Sequence, residues 1–368
     1  MPLQLKETEN LREFVDFPYG LFRKNPYWTG DLKKDVLKLL CQSHPFWRHA
    51  EKKLYMAFDG GRPVGRLAAI INHNHNSFHN EKCGFFGFFD CEDDQAAASA
   101  LFSKAGEWLR AGGMDFVRGP ANPSSNEVCG MLVEGFDSQN LVMMPYNPEY
   151  YLKLVENSGF EKEKDLLAFK WLRSSGFPER FERMARRALR DGKVKVEMVD
   201  VKNLDGALTK LKDIYNSAWE KNWGFVPMTA EEIDRMAADL GPVLKPEYLF
   251  FASVDGAPAA FALLLPDFNI ALKGLNGRLT PLNLLPFLYK MKFKLNRGRL
   301  LTLGVKKEYR NRGLELLLIR RAYESARKLK WEYGELSWTL EDNEAINSVI
   351  EAIGGFVYKK YRIYRKKL

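Results

Sequence analysis

Residues 299–329, RLLTLGVKKEYRNRGLELLLIRRAYESARKL, decide the reading of this chain. RLLTLGV reads as a strand and KKEYRNRG as a short basic turn. The remainder repeats Leu314, Leu317, Leu318, Ala322, Ala326 and Leu329 at helical spacing. Strand, glycine turn and helix together make a ready anion site. The first N–H groups of a helix lack partners, its dipole is positive at that end, and Gly313 lets a phosphate approach the backbone closely. Lys306, Lys307, Arg310 and Arg312 add charge around it. The alternative is an ordinary solvated turn in an α/β domain.

Further along, residues 335–356, ELSWTLEDNEAINSVIEAIGGF, read as a strand and then a helix led by Asn343 and closed by Gly355-Phe356. The same order occurs earlier, from Asn147 to Gly159-Phe160. Two hairpin signals match as well, Asp59-Gly60-Gly61 within residues 54–71 and Asp255-Gly256 within residues 249–265. Both pairs, Asn147 with Asn343 and Asp59 with Asp255, are 196 positions apart, which suggests a duplicated α/β unit. Residues 173–195 carry eight basic and three acidic side chains and form the expected seam, giving domains 1–175 and 176–368. Each half holds an insertion, residues 118–146 rich in turn formers and amides, and residues 266–296, apolar and then basic.

The composition fits a folded chain of two or three domains: 368 residues, 46% hydrophobic and 28% charged. The longest apolar run, residues 259–265, is far short of the roughly 20 residues of a membrane-spanning helix. The opening MPLQLKETEN lacks the order of a secretory signal, so a cytoplasmic protein is expected. Cys41, Cys83, Cys91 and Cys129 show no CxxC spacing, which points to reduced thiols. His73, His75 and His79 have a spacing that could ligate a metal, but a polar hairpin connection explains it as well, and no metal is expected. A net charge of +9 favours anionic partners without choosing among them.

On these motifs the second half resembles the GNAT superfamily of acyl-CoA N-acyltransferases. The family's pyrophosphate loop, Gln or Arg, two residues, Gly, any residue, then Gly or Ala, is matched by Arg310, Asn311, Arg312, Gly313 and Leu314, with Glu315 as a departure in the sixth position. The resemblance implies two tandem GNAT-like α/β units, each a mixed, mostly antiparallel sheet flanked by helices. The first would be degenerate, since DCEDDQAAA stands where its phosphate loop should be. It implies CoA or acyl-CoA as co-substrate, held by the second half, with main-chain groups of Leu303, Gly304 and Val305 polarising the thioester carbonyl. The tyrosine that many members use to protonate the thiolate would fall at Ile350. Glu341 or Asp342 would relieve the amine of its proton, with Asn343 beside them, although Asp342 and Asn343 are also explained by helix capping.

For the acceptor, Asn126, Tyr146 and Asn147 of the first insertion concentrate hydrogen-bonding groups, and Trp219, Asn222 and Trp223 form a second polar and aromatic cluster. A self-capped loop and core packing are their respective alternatives. RGPANPSSNEVCGMLVEGFD and VMMPYNPEYYLKLVENSGF resemble a group of tandem-GNAT bacterial proteins that includes ceramide synthases, which implies a hydrophobic or lipid amine of sphingoid type as acceptor. Phe85, Phe86, Phe88 and Phe89 could line an acyl tunnel or be plain core. PLNLLPFLYKMKFKL could lie against an anionic membrane at the inner face. Two further readings stay open: transfer from charged tRNA to cell-wall precursors, and a non-catalytic basic module suggested by the tail KKYRIYRKKL. Under the acyltransferase reading no nucleic acid is expected.

Overall fold

Gly60 and Gly61 (φ +56° and +83°), and Asp255 and Gly256 (φ +49° and +82°), turn the two hairpins in a computed structural model that describes residues 3–190, 192–219 and 223–368. Positive φ at both turn residues is what a two-residue hairpin needs. The chain forms two units that alternate along the sequence. The first stretch of the first unit, Met1–Leu166, runs β1 (Gln4–Glu7), α1 (Leu11–Leu21), α2 (Lys33–Leu40), β2 (Ala50–Asp59), β3 (Arg62–Asn72), α3 (His73–His79) and β4 (Cys83–Cys91). It continues through α4 (Gln95–Ala111), β5 (Phe116–Gly119), the short β6 (Ala121–Asn122) and β7 (Val128–Cys129), β8 (Met131–Glu134) and α5 (Tyr150–Glu156).

β9 (Glu161–Leu172) leads into the second unit, where α6 (Glu179–Ala188), β10 (Val194–Met198), α7 (Leu204–Trp219), α8 (Ala230–Leu240), β11 (Leu249–Val254) and β12 (Ala257–Pro266) follow. The chain returns to the first unit for α9 (Asn269–Leu272) and α10 (Pro281–Phe293). It goes back to the second for β13 (Arg297–Val305), α11 (Leu314–Lys328), β14 (Tyr333–Leu340) and α12 (Glu344–Ala352). β15 (Phe356–Lys367) ends in the first unit, to which Lys359–Leu368 belongs. Five stretches thus alternate between the units, the first change falling at Leu166–Leu167, and the expected boundary at 175/176 lies within the second unit's first stretch.

In the first unit, strands β1 to β5 lie side by side in that order, with β4 and β5 parallel and the earlier pairs antiparallel. β15 runs antiparallel to both β5 and β8, pairing Tyr364 with Gly119 and Tyr361 with Leu132. The basic tail is thus a structural strand. Its Arg362 holds Asp165 at 2.8 Å, and the buried Lys359 donates to the carbonyls of Gly135 and Ser138. Phe86 packs against Phe102 and Phe160 with ring centroids 5.2 and 5.0 Å apart, so it is core.

In the second unit, β10, β11, β12 and β13 are successive antiparallel neighbours and β14 joins β13 in parallel. Leu314, Leu317, Leu318, Ala322 and Ala326 of α11 are buried with Phe250 and Leu264, as their spacing predicts. Each unit is a mixed sheet flanked by helices. Among the described residues, no helix is long and apolar enough to cross a membrane.

Candidate active site

The second unit's sheet opens at one end. β13 and β14 share register from Arg297–Tyr333 to Leu300–Leu336, whereas the strands continue to Val305 and Leu340. On its other side β13 carries a bulge, because Leu263 faces Thr302 while Leu264 faces Leu300, leaving Leu301 as the extra residue. A bulge bends its strand and re-aims the residues beyond it. The closed end is fixed by charges the sequence reading missed. Buried Arg299 donates from Nε to Ser337 Oγ at 2.8 Å and lies 3.6 Å from the carboxylate of Glu335, which also accepts from the hydroxyls of Ser337 and Tyr358. Both charges sit inside a complete hydrogen-bond network, as burial requires. The available signal was arginine in one and glutamate in the other of two neighbouring strands rich in apolar residues.

At the open end, Gly304 lies under the indole of Trp219: a Cβ there would come within 2.2 Å of the ring. Two of the predicted site residues are therefore in contact, and Trp219 also packs on Phe261 and Tyr215. The following turn is tied to α7. Lys306 pairs with Asp213 at 2.6 Å, and Arg310 donates to the Ala218 carbonyl at 2.7 Å, where a helix C-terminus attracts cations. Trp223 is half-buried, and Asn222 lies outside the described residues.

The turn keeps a row of donors unspent. The N–H groups of Tyr309 and Arg310 bond to the carbonyls of Lys306 and Lys307, and that of Leu317 to Gly313. Between them, the N–H groups of residues 311–316 make no hydrogen bond among the described residues. Asn311 (φ +61°) and Gly313 (φ +74°) hold left-handed conformations, Gly313 stands at the N-cap with no capping side chain, and nothing lies within 4 Å of where its Cβ would be. Successive free donors, a positive helix end and the nearby Lys307 and Arg312 suit a diphosphate. Glu315, half-buried in the first helical turn, competes for that field rather than closing the site. The corresponding helix of the first unit differs chemically: Asp94 caps α4, accepting from the N–H groups of Ala96 and Ala97 at 2.9 and 3.2 Å. A carboxylate already occupies the place an anion would take.

Residues 208–355 match the acetyltransferase (GNAT) family model. Over its whole length the chain is 35% identical to the bacterial ceramide synthase of Caulobacter vibrioides (strain NA1000 / CB15N), covering 97% of that protein. It is 31% identical over 98% of its length to Protein YghO of Escherichia coli (strain K12), covering 93% of it. This chain belongs to the GNAT family. The fold of a tandem GNAT protein from the clavulanic acid biosynthesis pathway agrees over 100% of this chain and 98% of that one, with a TM-score of 0.59 at 12% identity. As a tandem GNAT protein the chain is an acyl-CoA-dependent N-acyltransferase, which decides against the tRNA-dependent and non-catalytic readings. The open strand pair and the free N–H groups fit that co-substrate.

The remaining predicted residues of this GNAT protein divide between the units. In the second, Glu341 and Asp342 directly follow β14, half-buried and exposed respectively, and the Asn343 side chain accepts from the N–H of Ile346 at 3.5 Å as the cap of α12. Ile350, at the family's tyrosine position, is buried. In the first, Asn126 is half-buried in a turn closed by Ser124 Oγ at 3.2 Å. Tyr146 donates to the Phe136 carbonyl at 3.3 Å, and burial raises its phenol pKa. Asn147 spends its amide on both main-chain groups of Leu132, at 2.7 and 3.1 Å. Its counterpart by sequence offset, Asn343, caps a helix instead. Tyr146 and Asn147 line a cavity of about 300 Å³ that the sequence did not disclose.

The histidines lie on the short helix α3 rather than in a hairpin connection. His75, Glu81 and Cys83 place their ligand atoms within 4.8 Å of one another. An ion-pair network accounts for them: Glu81 meets His75 and, at 2.9 Å, Arg118, which also holds Glu163 at 2.9 Å. Burial opposes ionisation of Glu81, yet the hydrogen bond from His75 and the charge of Arg118 bring its pKa down to about 2. Burial lowers the pKa of His75 and raises that of Cys83, which keeps the thiol protonated.

Proposed function

We propose that this GNAT protein acylates a long-chain amine of sphingoid type, using a single acyl-CoA site in the second unit. The carrying observation is the turn into α11, where the six successive N–H groups of residues 311–316 make no hydrogen bond among the described residues. Acyl-CoA supplies the acyl group as an activated thioester. The main chain of Asn311, Arg312, Gly313, Leu314 and Glu315 grips the diphosphate, and the side chains of Arg310 and Arg312 hold its charge in place. Leu303, Gly304 and Val305 present main-chain donors to the thioester carbonyl along the edge that β14 leaves. Glu341 takes the proton of the acceptor amine. Asp342 and Asn343 shape the strand-to-helix turn beside it, and Asn343 acts as a cap. Trp219 and Trp223 wall the same end of the unit. Within the first unit, Tyr146 and Asn126 offer polar groups to a ligand of that unit, while Asn147 positions the loop through Leu132.

The lipid character of the acceptor rests on whole-length similarity to the Caulobacter ceramide synthase and on the exposed apolar helix α10. Leu282 is 93% and Leu285 76% exposed, and Lys290, Lys292 and Lys294 come next, which suits peripheral contact with an anionic bilayer from the cytoplasmic side. Calorimetric titration with CoA and palmitoyl-CoA tests the donor site. The wild-type chain binds both, and Gly313→Asp, which puts a carboxylate among the free donors, weakens both at least tenfold. Mass spectrometry of lipids extracted after overexpression tests the acceptor, with new N-acylated long-chain amines as the expected product. Absent CoA binding, or an unchanged affinity in Gly313→Asp, overturns the donor site. Acylation of small polar amines alone overturns the lipid acceptor.

A further inference from the structure

In the first unit Asp94 fills the N-terminus of α4, but the unit holds the cavity of about 300 Å³, within the range of small-molecule sites. Most of the polar groups around it are already engaged. Arg66, the one cation in its wall among the described residues, donates from Nε to Asp90 at 2.8 Å and from Nη1 to the Phe14 carbonyl at 2.7 Å. Asp90 also accepts from Tyr151 at 3.3 Å. Asn122 accepts from the N–H of Phe88 at 2.6 Å, and Asn147 is spent on Leu132.

Two groups are left over, and both are acceptors. Asn140 is 5% exposed; its Nδ2 donates to the carbonyls of Leu141 and Met144, but its buried Oδ1 has no hydrogen-bond partner among the described residues. Asp31 has neither an ion pair nor a side-chain hydrogen bond among the described residues. Asp31 is an exposed residue of the cavity lining, and the protein packed around its carboxyl, with some repulsion from Asp35, raises its pKa to about 6. Asp31 is also held in place. Tyr19 Oη donates to its main-chain carbonyl, and the preceding Gly30 sits where a Cβ would strike Trp28 at 2.5 Å and Tyr19 at 2.7 Å. A buried acceptor without a donor, as Asn140 Oδ1 is among the described residues, is costly, and a ligand that supplies donors to it and positive charge to the exposed Asp31 carboxylate satisfies both. Among the described residues of the wall an anion finds no unspent cation. Trp28, Phe88, Val142, Met143 and Met144 give the wall an apolar part that adapts to an aliphatic group.

We propose that this cavity binds the head of an amphiphilic primary amine as its ammonium ion, with Asp31 as counter-charge and Asn140 Oδ1 accepting from the ammonium or a neighbouring hydroxyl. The degenerate unit is then a ligand-binding module in its own right. The assignment rests on the lipid-amine reading above only for the choice of an alkyl amine as probe.

Calorimetric titration of the full chain with octylamine, 2-amino-1-octanol and octanoate tests it, with CoA titrated separately into every variant. Both amines bind the wild type with one-to-one stoichiometry and octanoate binds at least tenfold more weakly. Asp31→Asn weakens the amines at least tenfold and Asp31→Lys abolishes their binding, while CoA affinity is kept. Octanoate binding as tightly as octylamine, amine affinity unchanged in Asp31→Asn, or no amine binding to a wild-type chain that binds CoA overturns the proposal. A variant that also loses CoA affinity has lost its fold, and the wild-type comparison of octylamine with octanoate then decides. Loss of CoA binding with amine binding intact counts against the donor site and leaves this one standing.

Discussion

At the level of single residues, the second unit depends on missing side chains and the first on an unpaired charge. Gly304→Ala must push the Trp219 ring aside, since the new Cβ would lie 2.2 Å from it. Overpacking of this kind costs about 1–3 kcal/mol. Denaturant unfolding should show that loss, with a change in tryptophan fluorescence and weaker CoA binding. Asp31 predicts a pH effect of definite sign. Its pKa is raised in the folded chain to about 6, so its contribution to stability is greatest below its unfolded value and is lost as pH rises through 6. Asp35 beside it adds to the negative surroundings at high pH, while the Tyr19 phenol, its pKa pushed well up by burial, stays neutral. Asp31→Asn should therefore melt higher than wild type at pH 8 and equal to it near pH 3.5, as thermal unfolding across that range would show. Equal melting at both pH values would refute this placement. Gly313 was legible because a glycine inside a basic turn before an apolar helix has few other uses. Asp31 and Asn140 were not, because each becomes distinctive only when the fold brings both to the lining of one cavity.

Elements repeat the contrast. The apolar positions of α11 were readable from their spacing, and they face the core. α10 has the same apolar richness and none of its residues is buried. Leu282, Leu285, Tyr289 and Phe293 fall on one outward side, between 54% and 93% exposed, and residues 268–296 contain no acidic side chain. Flotation with anionic vesicles should carry the wild-type chain upward and neutral vesicles much less so. Leu282→Ser with Leu285→Ser and Phe293→Ser should reduce flotation at least tenfold while leaving the melting temperature within about 1 °C, since those side chains are not packed in a core. A large drop in melting temperature would show that α10 is structural. The two helix N-termini also diverge from a shared pattern: Asp94 fills that of α4, and Gly313 leaves that of α11 open. The acidic run 92–94 made the first unit's loss legible, whereas the bulge at Leu301 leaves no mark in composition because any apolar residue can occupy it.

Across the whole molecule, the duplicated offset disclosed two α/β units but not how the chain shares its segments between them. Hydrophobic patterning reports which residues are buried, not which neighbours bury them, so α10 and β15 could be recognised without being assigned. A fragment of residues 1–175 keeps β1 to β5 and lacks β15, the strand that pairs with both β5 and β8. It should show no cooperative unfolding transition by circular dichroism, and a sharp transition would overturn the division described here.

The position of β15 also sets a timetable for biosynthesis. Translation delivers the residues that complete the first unit last, after every helix and strand of the second has been made. The ribosome therefore releases an amino-terminal half whose β5 and β8 still present unfilled edges, and a nascent chain that stops short of Tyr361 leaves them open to the pairing with other chains that exposed strand edges invite.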